Sequence, residues 1–171
     1  MDWQSHRMFG KIIAEQYGLP IHNYLEYTIL PDLRYYKESY FKYVFFHRWT
    51  LHGPENIDTV IDQGKYLRYV EYNAEYDNYI KCLIMSHSYL DLFNFIIHPS
   101  YPGNYGFTYI RSQLPKIFTF RAIKAPKGLD NVLQDIVKSH SGPFDLFHTM
   151  LIEYRCLPEK KYWVRQILKL Y

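Results

Sequence analysis

His87 and Asp91 stand four residues apart in the run Met85-Ser86-His87-Ser88-Tyr89-Leu90-Asp91-Leu92-Phe93. The run lies in a helical stretch, so its imidazole and carboxylate point the same way from neighbouring turns. An imidazole nitrogen and a carboxylate oxygen are good ligands for zinc and, with more oxygen donors, for manganese or iron. A purely structural arrangement is the alternative: His87 donating to a nearby carbonyl and Asp91 pairing with a base such as Arg111. Further residues with the same chemistry lie upstream, in His47-Arg48-Trp49-Thr50-Leu51-His52, in Pro31-Asp32, and at His6. One pair means little, but several spaced ligand carriers in one half of a chain point to a metal site.

Each of these residues also has an ordinary role open to it. His47 and His52 are five apart, which would turn their rings away from each other in an unbroken helix. Gly53-Pro54 interrupts the chain just after them, and a frayed end can aim both rings at one point. Arg48 between them can hold a phosphate oxygen through its planar guanidinium, or form a surface ion pair. Asp32 follows a proline in a turn, where aspartate commonly caps the next helix. His6 shares the apolar face of the first helix with Phe9 and Ile13, a usual place for a core histidine. His98 comes two helical turns after Asp91 and either joins the site or ends the helix. Ser86 and Ser88 flank His87 as supporting donors or as plain helix positions. His22, His140 and His148 read as structural or solvated.

The elements that must position these residues read as helices. Trp3, His6, Phe9, Ile13 and Tyr17 recur at three and four, and Gly18-Leu19-Pro20 ends that helix. Ile21 to Leu30 reads as a short second helix closed by Pro31, and Arg34 to Leu51 as a third. Pro54 to about Tyr72 begins with proline, glutamate and aspartate at a positive helix end. Asn73 to Ile97 forms the longest run. The stretch from His98 to Gly106, with its prolines and glycines, reads as a loop. Phe107 to Ile123 is ambiguous between strand and helix. Leu129 to His140, Pro143 to Cys156 and Pro158 to Tyr171 follow as helices. The expectation is one all-α domain, a multi-helix bundle over residues 1–171. Residues 1–105 would carry the metal site and 106–171 would complete the core.

Composition narrows the classes. With 171 residues, 48% of them apolar, the chain can bury one substantial core and is not disordered. A net charge of +3 without a basic stripe argues against a dedicated nucleic-acid binder. Interleaved Tyr and Lys, as in Arg34-Tyr35-Tyr36-Lys37 and Lys160-Lys161-Tyr162-Trp163, nevertheless keep open a helical module that binds a protein partner or single-stranded nucleic acid. Cys82 and Cys156 show no CxxC spacing and no disulfide framework. The opening Met-Asp-Trp-Gln-Ser-His has no apolar segment of the signal-peptide kind, and no stretch is long enough to span a bilayer. The expected location is therefore cytoplasmic.

In order and spacing, His6, Pro31-Asp32, His47-Arg48-Trp49-Thr50-Leu51-His52 and His87-Ser88-Tyr89-Leu90-Asp91 resemble the zinc-dependent phospholipase C-like proteins and the prokaryotic metal-dependent hydrolases. Those families share an early His, a Pro-Asp turn, an HR-x3-H element and an S-H-x3-D helix. The resemblance covers roughly residues 1–105. It implies an all-helical scaffold that gathers His and Asp around divalent metal and activates water for attack on a phosphoester. By position it makes His6, Asp32, His47, His52, His87 and Asp91 the ligand candidates, with His98 as a possible addition. Asp32 or Asp91 would be the candidate base, and Arg48 the phosphate contact. The implied substrate is a small phosphoester or a lipid headgroup, and zinc is the first choice of metal. Trp3 is internal rather than N-terminal, His98 is one residue out of register, and no Glu lies between Glu75 and Glu153. These departures set the expectation at one or two metals. The runner-up is a non-catalytic binding module with a structural or vestigial metal site.

Overall fold

A computed structural model describes residues 2–33, 35–37, 39, 51–68, 70–97 and 128–156, with side chains to 91 and to 155 in the last two helical stretches. The fold is all-α, and no strand occurs among the described residues. Five α-helices are present there: α1 (Trp3–Tyr17), α2 (Ile57–Leu67), α3 (Asp77–Ile97), α4 (Leu129–Lys138) and α5 (Pro143–Cys156). None is long and apolar enough to cross a membrane.

Local chemistry explains where most of these helices begin and end. Asp2 caps α1 by accepting the Ser5 N–H at 2.8 Å. Gly18 closes it at φ +64°, a left-handed conformation that glycine adopts without a Cβ penalty. Asn73 accepts the Glu75 N–H at 3.0 Å and starts a single 3-10 turn, Ala74–Tyr76, that runs into α3.

Two expectations need correction. Ile21 to Leu30 is not one helix: it is a turn followed by two short 3-10 segments, Leu25–Thr28 and Leu30–Asp32. Thr28 Oγ1 donates to the Leu25 carbonyl at 2.7 Å, competing with the backbone ladder, and Pro31 has no amide hydrogen to continue it. The helix expected from Pro54 to Tyr72 is shorter, with a 3-10 turn at Pro54–Asn56 and α2 ending at Leu67. Arg68 takes a left-handed φ of +59° there and returns its N–H to the Gly64 carbonyl. The expected helix over Arg34 to Leu51, the loop from His98 to Gly106, the ambiguous stretch from Phe107 to Ile123 and the last helix lie largely or wholly outside the described residues.

Helix α3 is the axis of the domain. Tyr79, Ile80, Cys82, Leu83, Ile84 and Met85 are all buried, as are the polar Ser86, His87 and Ser88 that follow. A helix buried on every side needs neighbours all round. Here α5 packs along it most extensively, while α1, α2 and the 3-10 segment at Leu25–Thr28 cover other faces. Helix α4 packs on α1, and Tyr17 donates across that contact to the Val137 carbonyl at 3.0 Å.

The close approach of α1 depends on Gly10, one turn after His6. A Cβ built there would lie 2.5 Å from Thr28 Cγ2 and 2.9 Å from Leu25 Cδ1. Thr28 is buried and β-branched, so its methyl has little room to yield. Gly10→Ala gains at most about 1 kcal/mol of helix propensity, whereas forced overpacking costs about 1–3 kcal/mol. The clash should win: urea unfolding of Gly10→Ala should show a lower midpoint at unchanged slope. An equal or higher midpoint would show that α1 does not need this contact.

Candidate metal centre

His87 sits on α3, fully buried, and its Nδ1 lies 2.8 Å from the carbonyl oxygen of Thr28. A carbonyl can only accept, so Nδ1 carries the proton and Nε2 keeps its lone pair when the ring is neutral. The Thr28 carbonyl is available because of the turn chemistry: Pro31 offers no N–H, and the Asp32 N–H goes to Ile29 at 3.0 Å. Burial first, then the neighbouring His6 ring, holds the His87 imidazole down to about 3. The carboxylates of Asp91 and Asp32 oppose that shift without reversing it. His87 is therefore held in its neutral form, with the unprotonated nitrogen aimed inward.

Three further ligand atoms meet that nitrogen. His52 Nε2 lies 2.9 Å away, and Asp32 Oδ1 and Asp91 Oδ2 are each 3.6 Å away. His52 Nε2 is in turn 3.3 Å from Asp32 Oδ1 and 3.8 Å from Asp91 Oδ2. Ligands at about 2.0–2.2 Å from a tetrahedral metal are separated by about 3.3–3.6 Å. These five separations lie around that edge length, the shortest being a hydrogen bond between the two imidazoles. The four residues come from the 3-10 turn after Leu30, the bend before Pro54, and two adjoining turns of α3. The bend is fixed to α3 by Ser88, whose Oγ accepts the Gly53 N–H at 3.0 Å. Ser86 has only a local role, donating to the Leu83 carbonyl at 2.6 Å.

His6 adds a fifth residue on the far side of Asp91. Its ring stacks on His87 with centroids 4.0 Å apart, and its Nε2 is 3.4 Å from Asp91 Oδ1. The two oxygens of Asp91 thus face different histidines, Oδ2 towards His52 and His87 and Oδ1 towards His6. Both ring nitrogens of His6 and Nδ1 of His52 are buried without a hydrogen-bond partner. Such groups each cost about 1–3 kcal/mol when left unsatisfied. His52 Nε2 is the donor within reach of the His87 lone pair at 2.9 Å, so the unmet lone pair nearest a carboxylate belongs to His6, beside Asp91 Oδ1.

The carboxylates are ionised. Burial alone would raise the Asp32 carboxyl, but the His52 and His87 rings outweigh it and hold it well below the usual range. Asp91 is likewise held far down against its own burial, with His6 and His87 among the causes. Trp3 Nε1 donates to Asp32 Oδ2 at 2.8 Å, leaving Oδ1 towards the histidines. Asp32 thus ends its own 3-10 turn and faces the histidines. The helix it was expected to cap lies largely outside the described residues.

Of the candidates named from sequence, five fall into two groups that share His87: His6 with Asp91, and Asp32 with His52. His47, Arg48 and His98 lie outside the described residues. Elsewhere, His140 Nδ1 is on the Ile136 carbonyl at 2.7 Å, and His148 packs edge-on to Phe144 and Phe147. The Thr28 carbonyl, the Trp3 indole and Ser88 as the anchor of the bend were not identified from the sequence. Pro31 was the available signal for the first, since it deprives that carbonyl of its local donor. No family model, curated protein or solved structure matches the chain.

The state of His87 sets a pH dependence for the metal-free protein. The unfolded chain binds a proton at His87 below its ordinary pKa of about 6.5, whereas the folded chain refuses it down to about 3. In that window the unfolded state holds more protons, so stability falls as pH falls, by at most about 1.4 kcal/mol per unit from this group. Asp32 and Asp91, whose folded pKa values are depressed, add their own loss only below the ordinary carboxylate range. Urea unfolding of chelator-treated protein should therefore show a lower midpoint at pH 5 than at pH 7.5, with His87→Gln flattening the difference. An unchanged slope in His87→Gln would contradict a buried neutral His87.

Proposed function

We propose that this domain is a metal-dependent hydrolase of phosphoesters, with His52, His87, Asp32 and Asp91 holding a divalent ion and His6 with Asp91 Oδ1 offering a second position. The observation that carries the reading is that the Nε2 atoms of His52 and His87 each lie within 3.8 Å of carboxylate oxygens of both Asp32 and Asp91, beside a buried His6 ring without a hydrogen-bond partner. Zinc suits two imidazoles and two carboxylates best, and manganese or iron would ask for more oxygen. The order of these residues along the chain, and its resemblance to the phospholipase C-like and metal-dependent hydrolase groups, supplies the phosphoester as substrate class.

A divalent ion bound there supplies Lewis acidity, polarising a phosphoryl oxygen and lowering the pKa of water. The protein's own groups do the rest. The Thr28 carbonyl fixes the tautomer and direction of His87. The Asp32 and Asp91 side chains keep 23% and 31% of their surface open, so solvent and a small anion can reach the carboxylate edge of the site. Either carboxylate, when one oxygen is not engaged with metal, can accept the proton released from water.

One observation favours a second reading. Four protein ligands around one ion make a closed site, the arrangement of structural zinc, whereas catalytic zinc keeps a position open. On that reading the metal only stabilises a non-catalytic helical module. Of the two aromatic-basic segments offered for nucleic acid, Lys160 to Trp163 lies outside the described residues, and at Tyr35 to Lys37 the groups engage other side chains. Tyr35 and Tyr36 hydroxyls and Lys37 Nζ all converge on Asp62 Oδ2, and Tyr36 stacks on Tyr66 at 3.9 Å.

Metal analysis joined to activity separates the two readings. Untagged protein should carry at least one equivalent of zinc and hydrolyse an activated phosphodiester such as bis(p-nitrophenyl) phosphate. His87→Ala and Asp91→Asn should each weaken zinc binding more than tenfold and abolish turnover, since each removes a direct ligand. Stoichiometric metal without turnover, and a lower melting temperature in both variants, would establish the structural reading. Wild-type protein that binds no divalent ion would overturn both.

A further inference from the structure

Trp3 projects from the first turn of α1 with 44% of its surface exposed, yet its N–H reaches a residue 29 positions away instead of water. The indole N–H is a donor only, and its partner is Asp32 Oδ2 at 2.8 Å. The other oxygen, Oδ1, is the one that lies 3.3 Å from His52 Nε2 and 3.6 Å from His87 Nε2. The indole is itself held in place. The Asp2 cap fixes the helix start, and the Arg7 guanidinium lies 6.0 Å from the ring centre. That guanidinium is clamped by two 2.8 Å bonds to Glu26. Trp3 and His6 are three apart, so one face of α1 delivers both a ligand candidate and a donor to a second ligand.

We propose that Trp3 is a positioning residue of the metal centre, its indole N–H holding Asp32 Oδ2 so that Oδ1 alone faces the cation. This rests on the metal-site reading above. A carboxylate hydrogen-bonded at one oxygen binds through the other. A carboxylate without that bond can turn both oxygens inward, changing the coordination number and the angle at which it meets the two imidazoles. Groups that orient metal ligands in this way are typically worth 10–100-fold in affinity.

The test is a cobalt titration of the chelator-stripped full chain, wild type against Trp3→Phe, followed by zinc competition. Phenylalanine keeps an aromatic ring at this exposed position and removes the N–H together with the five-membered ring that carries it. The wild type should bind cobalt with the intense visible bands of a four-coordinate site. Trp3→Phe should bind about tenfold or more weakly, with weaker, shifted bands as both Asp32 oxygens reach the cation. Its metal-free urea midpoint should match the wild type, which excludes misfolding as the cause. Equal affinity and identical bands in the two proteins would overturn the role of Trp3 while leaving the metal site intact. Weaker binding with wild-type bands would overturn it too, since that is what a packing role alone produces. Failure of the wild type to bind cobalt would overturn the metal reading itself, and this inference with it.

Discussion

Pro31 has no amide hydrogen, so the carbonyl of Thr28 has no donor of its own in the turn that follows it, and His87 supplies one from α3 at 2.8 Å. That bond satisfies a buried acceptor and chooses the tautomer of a fully buried imidazole. It also points the remaining lone pair at His52, Asp32 and Asp91. Without it, the ring could rotate or hold its proton on the inward nitrogen, and its lone pair would not face His52, Asp32 and Asp91. The glycine at position 10 serves the same contact from the other side, letting α1 press against Thr28 and bring His6 onto the His87 ring.

The helical architecture was legible because its signals are local. The Gly18-Leu19-Pro20 stop and the prolines at 54 and 143 fixed several helix ends, and the long apolar run fixed α3. The i, i+4 relation of His87 and Asp91 placed two ligands on one face directly. Other features depend on contacts far apart in sequence. Arg68 ends α2 in a left-handed conformation that glycine or asparagine usually marks, so nothing in its residue type announces the stop. The bend carrying His52 is set by Ser88, 35 residues later, and a periodic pattern holds no trace of that bond. The two 3-10 segments around Thr28 came from competition by a side chain and a proline, and a short apolar run does not distinguish them from a helix.

The structural alternative for His87 and the metal-binding one are compatible. His87 does donate to a carbonyl, as a core histidine would, and the same bond leaves the lone pair on its other nitrogen, the state a metal ligand requires. The unmet nitrogens distinguish this cluster from a polar network stable in itself. A satisfied network would leave no buried imidazole nitrogen without a partner, and three are present in His6 and His52. His52, His87, Asp32 and Asp91 lie together, and His6 meets them across Asp91.

The most direct test is anomalous diffraction from crystals of zinc-loaded protein, recorded on both sides of the zinc absorption edge. The account predicts a peak within about 2.0–2.2 Å of His52 Nε2, His87 Nε2, Asp32 Oδ1 and Asp91 Oδ2, with the Thr28 bond to His87 retained. A map with no peak among these atoms would contradict it.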